Sequence, residues 1–359
     1  MNKKIVAQNR TVFIGADVHT RKHVVSVKTG REILGTCNLS PNPDAWRSFL
    51  KRFPGCELHA IYESGPHGYN LYDWLTGMNG ENGQAVHVAI APPALVPKAP
   101  GKRVKTDKRD SKALITAFEM DSFRPVVVPD KQKREERELI RTRNQAKAED
   151  KRLKNQIHGM VKFHGIEYPY GIRWSDKWVQ QLAANAKAAD TTGNLVFALK
   201  LKLKLLGEMK KAVAALDKRI ERLYAKGACS EVAQKLTVLT GIGKLSAVII
   251  ATEVADFGAF DNSDAFASYV GVVPGEDSSG ETTRRGHITR AGNRRLRWIF
   301  VECAWIRIRH DPEAKRIYHR IKMGKKDRSR IAIVAVARRL AVKAYHQVVN
   351  GEQSGKAAA

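Results

Sequence analysis

Four carboxylates in the first third of the chain have the types and spacing that could hold a metal ion. Asp17 and Glu63 each close a short apolar run that predicts a β-strand, and Asp107 and Asp110 stand three residues apart where a helix is predicted to begin. A carboxylate at the C-terminal end of a strand lies at the edge where open α/β sheets bind ligands. Two aspartates at i and i+3 of a helix share one face, so both can reach one ion.

These acids would repel one another unless cations lay between them, which is the logic of a Mg²⁺ site for phosphate chemistry. The chain carries 63 Lys and Arg against 36 Asp and Glu, a formal net charge of +27. An acidic cluster is therefore an exception to the composition. The contrast predicts an enzyme that cuts nucleic acid.

Composition restricts the class of protein further. With 359 residues, of which 43% are hydrophobic and 28% charged, the chain can bury at least two cores as a soluble globular protein. A sequence pI near 10 favours a polyanionic partner through counterion release, although charge alone does not identify the polyanion. A ribosomal or chromatin protein would be as basic, but it would usually be shorter and would not need four acids at strand and helix ends.

The cysteines and the apolar runs indicate a cellular compartment. Cys37, Cys56, Cys229 and Cys303 have no C-x-x-C spacing, so neither a zinc site nor a disulfide framework is predicted, and a reducing cytoplasm is expected. The longest apolar run, 331–337, is far too short to span a membrane and predicts a buried helix. We therefore expect a cytoplasmic protein with no membrane partner.

The residues up to position 128 predict an α/β domain. Three short strands come first, at 11–17, 22–28 and 31–39, and Thr29-Gly30 favours a turn between the last two. Helices and strands then alternate, with helices expected over 43–52, 69–75 and 107–120, and strands ending at Glu63 and covering 85–90. This order predicts a mixed-sheet domain of RNase H-like type over residues 1–128.

Residues 129–228 predict a helical arm. No proline interrupts 131–167, and heptad-spaced apolar residues on both sides of an irregular, Trp-containing connection (168–192) predict two long amphipathic helices, the second over 195–224. Packed side by side, they would form an antiparallel coiled coil. The arm could be a spacer, or it could be a dimerising or RNA-facing element. The heptad series are Leu139, Ala146, Leu153 and Met160 in the first helix, and Leu199, Leu206, Val213 and Ile220 in the second.

A third, mainly helical region is expected over 229–349, with a disordered tail at 350–359. Within it, Gly241, Gly243 and Lys244 occupy a segment that resembles a helix-hairpin-helix turn. Glycines permit a tight turn whose free backbone N–H groups can bind a DNA phosphate at the start of the next helix. An ordinary connection between two helices would have the same glycines.

A second constellation follows at 273–297. A flexible polar loop is expected over 273–280, and the next residues include Arg284, Arg285, Arg290, Arg294 and Arg295 with no acid among them. Guanidinium groups at this density suit phosphate clamping, although a solvated basic face would look the same.

Ser279 lies in this loop, directly before Gly280. A serine beside a glycine is most often a turn residue, and a serine hydroxyl needs a base or a metal to become a nucleophile. Its position before the arginines, in a chain with a metal-type acid set, makes it the candidate nucleophile. Ser278 stands beside it and keeps the assignment open.

Together these segments resemble a known family. The chain is similar to full-length transposases of the insertion-sequence 110 family, the DEDD group related to the Piv DNA invertases. The matching segments, in the order of the family, are Ile14-Gly15-Ala16-Asp17, Tyr62-Glu63-Ser64-Gly65, Lys105-Thr106-Asp107-Lys108-Arg109-Asp110, Leu239-Thr240-Gly241-Ile242-Gly243, and Ser279-Gly280 leading into 285–293.

The resemblance implies a RuvC-like domain at 1–128 whose Asp17, Glu63, Asp107 and Asp110 bind Mg²⁺, and a C-terminal transposase domain whose nucleophile is Ser279. It implies a serine recombinase that is guided by a structured non-coding RNA, the bridge RNA, which pairs with donor and target DNA. Such proteins act as homo-oligomers in the bacterial cytoplasm, nucleoid-associated when acting. A covalent phosphoserine link and a Holliday-type junction are the implied intermediates.

Two other hypotheses compete with this one. A RuvC-like Holliday-junction nuclease would hydrolyse DNA with metal-activated water, and Ser279 would be structural. A non-enzymatic RNA- or DNA-binding protein on a decayed RNase H scaffold would not need its acids, and the presence of all four argues against it.

Overall fold

The computed structural model describes residues 5–93, 106–279, 282–289 and 291–356, with the backbone alone described for 276–279, 282–287 and 351–356. The chain divides into two compact units, residues 1–128 and residues 129–359. Each unit is built around its own hydrophobic core.

The first unit contains one mixed sheet of five strands. The central strand β1 pairs antiparallel with β2 and parallel with β4, and the order across the sheet is β3-β2-β1-β4-β5. This α/β architecture is consistent with an RNase H-like DEDD fold and confirms the predicted mixed sheet. The strands are β1 Thr11–Val18, β2 His23–Thr29, β3 Glu32–Leu39, β4 Glu57–Glu63 and β5 Ala85–Ala91.

Helices cover both faces of this sheet because β1 is apolar on both sides. Val12 and Ile14 are fully buried on the face that Trp46 and Leu75 cover, and Leu114 belongs to the core of the other face. The first helix starts as the sequence predicts, since the Asn42 side chain accepts a hydrogen bond from the backbone N–H of Ala45 and Pro43 follows it. The helices are α1 Pro43–Leu50, α2 Asn70–Gly77 and α3 Asp107–Glu119.

Two long helices dominate the start of the second unit. Helix α4 (Lys131–Phe163) and helix α6 (Asn194–Lys226) are 33 residues long each and pack antiparallel. The ion pair of Arg143 with Asp217 at 2.7 Å lies toward one end and the hydrogen bond from Lys202 to Gln156 at 2.9 Å toward the other. The predicted pair of long helices is confirmed.

The connection between these helices is more regular than predicted. Helix α5 (Asp176–Asn185) begins with Ser175 as its N-cap, and a short 3₁₀ turn at Ala186–Ala189 follows. Trp178, in α5, is buried against apolar residues of both long helices. The expectation of an irregular segment was wrong here because the tryptophans form a local core.

The remaining helices continue the core of the second unit. Ile140 of α4 and Ile220 of α6 belong to the same buried cluster as the helices after them, so the base of the long pair is part of that core. Helix α12 extends to Lys356 and includes most of the segment expected to be a disordered tail. The helices are α7 Ser230–Thr237, α8 Lys244–Glu253, α9 Ser263–Val270, α10 Arg294–His310, α11 Pro312–Lys322 and α12 Ser329–Lys356.

A two-stranded antiparallel hairpin interrupts these helices. Strand β6 (Pro274–Ser279) pairs with strand β7 (Thr282–Ile288), where a flexible loop was expected over 273–280. The prediction was wrong because the segment is mostly polar and lacks the alternation that marks a strand, whereas backbone pairing does not depend on side-chain polarity.

Among the described residues, no helix is long and apolar enough to cross a membrane.

Candidate functional site

The strand pairing places Asp17 and Glu63 side by side. Ala16 of β1 is in register with Tyr62 of β4, and each of these residues is followed by one of the predicted acids. Parallel strands in register present equivalent residues on the same face. Asp17 and Glu63 therefore occupy adjacent positions at the C-terminal edge of the sheet, as the sequence predicts.

Helix α3 brings the other two acids. Asp107 and Asp110 lie in its first turn, and the backbone N–H of Asp110 donates to the carbonyl of Thr106 at 3.0 Å. The positive end of the helix dipole favours carboxylates at this place. The expected helix start at Asp107 is confirmed.

The path of α3 across the sheet depends on Gly15 of β1. A Cβ atom at Gly15 would lie 1.9 Å from the carbonyl oxygen of Ser111 and 2.9 Å from a side-chain atom of Ile115. The buried hydroxyls of Ser111 and Ser26 also form a hydrogen bond of 2.8 Å. This close approach fixes the distance between the acids of α3 and Asp17, two residues along β1.

Asp17, His19 and Asp107 form a group that could hold a metal ion. One ligand atom of each lies within 4.8 Å of the others, and the His19 imidazole is 3.2 Å from Asp17 and 3.8 Å from Asp107. The Lys22 ammonium also contacts Asp107, at 3.0 Å. Glu63 and Asp110 lie outside this three-residue group.

The electrostatics of the acids reflect this grouping. Burial raises the pKa of Asp17 above its usual value, His19 opposes the rise, and the negative charges of Asp107 and Asp110 add to it. The hydrogen bond and charge of Lys22 lower the pKa of Asp107. The charges of Asp107 and Asp110 thus both act on Asp17, which links three of the four predicted acids.

Sequence reasoning missed His19 and Lys22. Both belong to the short turn between β1 and β2, which is closed by a hydrogen bond from the His19 N–H to the Lys22 carbonyl at 3.2 Å. An Asp-x-His pattern across the end of β1 was the available signal, because a carboxylate and an imidazole can both ligate a metal ion. Nothing in the sequence indicates that Lys22 reaches an acid 85 positions further along the chain.

A buried histidine lies on the neighbouring strand. His23 is 3% exposed, and its Nδ1 accepts a hydrogen bond of 2.9 Å from the Trp46 indole. Burial lowers the pKa of His23 to about 4, helped by the positive charges of His67 and His19. The acceptor role requires Nδ1 to be unprotonated, so the hydrogen bond and the pKa shift agree.

Ser279, the predicted nucleophile, is the last residue of β6 in the second unit. It is in register with Thr282, and Ser278 with Thr283. Arg284 and Arg285 lie on β7, opposite Asp277 and Glu276. The side chains of all these residues, and Gly280 and Arg290 altogether, lie outside the described residues.

Two glycines close the base of this hairpin. Gly271 and Gly292 have φ of +80° and +84°, and a Cβ at Gly271 would lie 2.3 Å from the carbonyl oxygen of Ala291. The Arg297 guanidinium donates to that same oxygen at 3.0 Å. The ends of the hairpin are therefore held together by backbone contact that only glycine allows.

A buried carboxylate supports the helix that follows the hairpin. Asn293 caps α10 by accepting from the N–H of Arg295 at 2.9 Å, and its amide donates to Glu253 at 3.3 Å. Burial alone would raise the pKa of Glu253, but hydrogen bonding and charge from Arg141 lower it overall. Arg295 is 3.8 Å from the same carboxylate, so one predicted phosphate-binding arginine is partly neutralised. Arg294 is exposed at the first position of α10.

The predicted helix-hairpin-helix turn connects α7 to α8. Gly241 has φ of +97°, and a Cβ there would lie 2.7 Å from the carbonyl oxygen of Cys303 in α10, so the glycine is needed for packing. A Cβ at Gly243 would meet nothing within 4 Å, and Lys244 begins α8 with its ammonium 5.4 Å from the Tyr224 ring. An open groove lies over this turn. Phosphate binding by the turn stays a prediction.

Two family models match the chain. A mixed sheet whose strand ends and facing helix carry carboxylates is consistent with the RNase H-like DEDD fold. Residues 14–166 match the DEDD transposase model of the IS110 group, and residues 233–319 match that of the transposase IS116/IS110/IS902 family. The chain is a member of this family, which suggests the use of a divalent metal.

Two relatives support the assignment. The protein named "Putative transposase y4qE" of Sinorhizobium fredii is 30% identical over 311 residues, which cover 84% of this chain and 73% of that protein. The "Transposase for insertion sequence element IS1533" of Leptospira borgpetersenii is 25% identical over 264 residues, which cover 70% of this chain and 72% of that protein.

Proposed function

We propose that this transposase cuts and rejoins the DNA of a mobile insertion sequence through a covalent phosphoserine link on Ser279. The observation that carries the proposal is the convergence of Asp17 and Asp107 in a chain whose two family matches cover both predicted catalytic segments. The acids would hold a divalent cation at the scissile phosphate, and the serine hydroxyl would attack that phosphate.

The residues present fit a divalent cation. Asp17 and Asp107 supply carboxylate oxygens, which Mg²⁺ prefers, and the Lys22 ammonium at 3.0 Å indicates that the position attracts a positive charge. We assign Asp17, Glu63, Asp107 and Asp110 as the acids that would hold Mg²⁺. When bound, the ion would neutralise the phosphate and polarise its oxygens.

The serine step conserves phosphodiester bonds. The Ser279 hydroxyl oxygen forms a bond to phosphorus, the bond from phosphorus to the leaving strand oxygen breaks, and the serine proton passes to that oxygen. Rejoining reverses these changes, with a strand hydroxyl attacking the phosphoserine. No ATP is required, because every bond broken is replaced by one of the same kind.

The surrounding basic residues would position the DNA. Arg284, Arg285 and Arg290 would hold non-bridging phosphate oxygens near Ser279, and Arg294 and Arg295 would contact the backbone beside it. The turn formed by Gly241, Gly243 and Lys244 would bind a further phosphate through backbone N–H groups. The net charge of +27 favours such contacts over the whole chain.

Sequence specificity would come from RNA rather than from the protein. We assign a structured bridge RNA as the guide, pairing with donor and target DNA, so that the protein reads backbone and shape. The acids of one subunit would meet Ser279 of another in a homo-oligomer, and the coiled coil of α4 with α6 would take part in its assembly. Sequencing the RNA that co-purifies with the protein tests this assignment, and random cellular RNA in place of one discrete species would contradict it.

The Ser279→Ala variant tests the nucleophile. We expect it to lose protein–DNA adducts that resist denaturation, and to lose strand exchange by roughly 1,000-fold or more, on a plasmid that carries the insertion sequence with its flanking DNA. Ser278→Ala is the matched control and should retain both. Hydrolytic cutting that survives in Ser279→Ala would instead favour the junction nuclease.

The Asp17→Asn variant tests the acids. It removes one negative charge with little change of shape, so it should abolish Mg²⁺-dependent cleavage while the protein remains folded and binds DNA. Equal cleavage by Asp17→Asn and the unmodified protein would contradict the assignment.

A further inference from the structure

A patch of cations covers the outer face of α11 and the turn that leads into α12. Residues 315–330, which we call the basic patch, contain eight Lys or Arg and a single acid, Asp327. The family match ends at residue 319, so the turn itself lies beyond it. Six of the cations are exposed: Lys315, Arg316, Arg320, Lys325, Lys326 and Arg330.

None of these six forms an ion pair with a described residue, in contrast to cations further along α12. Arg338 is 3.0 Å from Asp264, and Lys343 is 3.0 Å from Glu313. Arg339 shares the Glu313 carboxylate at 4.0 Å. The basic patch therefore retains its positive charge, whereas these three cations of α12 share two carboxylates. Uncompensated cations concentrated in one place attract a polyanion.

The backbone of the patch is already ordered. The N–H of Met323 donates to the His319 carbonyl at 3.0 Å, and the N–H of Lys325 donates to the Lys322 carbonyl at 2.9 Å. The Tyr318 and Ser329 hydroxyls share a hydrogen bond of 2.7 Å that ties α11 to the start of α12. A ligand that binds here pays little to order the chain.

The start of α12 favours an anion for a second reason. This helix has no acid in its first turn, and Arg328 and Arg330 flank its first residue. Cations near a helix N-terminus are unfavourable, whereas phosphates there are stabilised by the dipole and the free N–H groups. The cations of the patch therefore lie at an unfavourable place, beside a helix N-terminus. Phosphates bound to the free N–H groups of that terminus would offset the repulsion among the cations.

The chemistry of the patch fits a double helix better than a single strand. Single-stranded nucleic acid is bound by exposed aromatic rings on which bases stack. The only Phe, Trp or Tyr among residues 315–330 is Tyr318, which is 6% exposed. We propose that the basic patch binds the phosphate backbone of duplex DNA, an inference that rests on the proposed function in which the chain acts on DNA.

The experiment compares two triple variants that remove the same charge. Lys325→Gln, Lys326→Gln and Arg330→Gln neutralise the patch, and Arg338→Gln, Arg339→Gln and Lys343→Gln neutralise paired cations of α12. Binding of the full-length protein to a 30-base-pair DNA duplex (a length of about three helical turns) is measured from low to high salt without divalent metal. Cleavage is absent under these conditions, so failure of the serine or metal chemistry leaves the result unaffected.

We expect the patch variant to bind about tenfold or more weakly, with the slope of log K against log salt reduced by about 2 to 3, since each phosphate contact contributes roughly 0.9. The paired-cation variant should keep a slope close to that of the unmodified protein. Equal effects of the two triples would overturn the proposal, because net charge alone would then explain binding. If the patch variant lost affinity only for an RNA duplex of the same sequence and bound the DNA duplex normally, the proposal would also be overturned.

Thermal unfolding without nucleic acid provides the second readout. Removing cations beside the N-terminus of α12 should leave the Tm unchanged or raise it, because repulsion and an unfavourable dipole interaction are removed. A marked fall in Tm would mean that these residues stabilise the fold rather than bind DNA, and would overturn the proposal.

Discussion

Basic side chains of the protein lie beside the acids of the first unit. His19 contacts both Asp17 and Asp107, and Lys22 contacts Asp107. All of these side chains are between one fifth and one half exposed, so their ion pairs are screened by water and are individually weak. A divalent cation could therefore displace them at modest cost.

His23 makes the stability of the first unit depend on pH. Its pKa is about 4 when folded and near 6.5 when unfolded, so between these values the unfolded chain binds a proton that the folded protein does not. Stability contributed by neutral His23 is present above pH 6.5, falls as the pH drops through this window and is lost below about pH 4.

We expect this loss to reach about 2.5 kcal/mol between pH 7 and pH 4.5. Urea unfolding at both pH values measures this loss of unfolding free energy. In His23→Gln, the difference in unfolding free energy between the two pH values should be smaller by about the same amount. Comparing differences removes any constant cost of losing the Trp46 hydrogen bond. The same pH dependence in both proteins would show that His23 carries no such contribution.

The contact of β1 with α3 sets the geometry of the acids. Because a Cβ at Gly15 would meet a backbone oxygen of α3 at 1.9 Å, the helix must move to accept any side chain there. Asp107 and Asp110 would move with it, while Asp17 would stay on the strand. Positioning of this kind tolerates little error, since a displacement of about 1 Å can cost roughly 100-fold in rate.

The Gly15→Ala variant should accordingly lose roughly 100-fold in cleavage rate. Gly77→Ala, at the end of α2 with no atom within 4 Å of its Cβ position, is the matched control and should keep its rate. Single-turnover cleavage and a thermal melt are measured on both. A normal rate in a cooperatively folded Gly15→Ala protein would contradict the role assigned to this contact.

The hairpin base is a second junction between elements. Gly271 and Gly292 allow the segments before β6 and after β7 to lie in contact, and the Arg297 guanidinium donates a hydrogen bond to the carbonyl of Ala291 there. The strand ends are thereby fixed to α9 and α10. Ser279 thus belongs to an antiparallel ladder that is anchored at its base.

The two units have separate cores. Trp46 is fully buried in the first unit, and Phe300 is fully buried in the second. Proteins of this size divide their apolar residues among domains because a single core stops growing.

Calorimetry should therefore resolve two unfolding transitions. Trp46→Ala should lower the Tm of one transition, and Phe300→Ala should lower the Tm of the other. Each substitution should reduce the free energy of unfolding of its own unit by about 3–5 kcal/mol, because it leaves a cavity in the core of that unit. A single transition that both variants lower equally would show that the units unfold together.

Local signals in the sequence were sufficient to predict most elements of the first unit and to identify the family. Asn42-Pro43 predicted the start of α1, and the carboxylates at the C-terminal ends of the first and fourth predicted strands marked the edge of the sheet. These features depend on residues near one another in the chain, where caps and periodicity act. The ordered motifs identified the family in the same way.

Contacts between distant parts of the chain could not be read from the order of residues. The approach of α3 to Gly15, the ion pair of Lys22 with Asp107 and the pairing of β6 with β7 each join segments whose partners are chosen by packing. A polar strand or a surface lysine has no local pattern that names its partner. Tertiary packing decides which of these groups come together, so their distances and burial are known only from the folded chain.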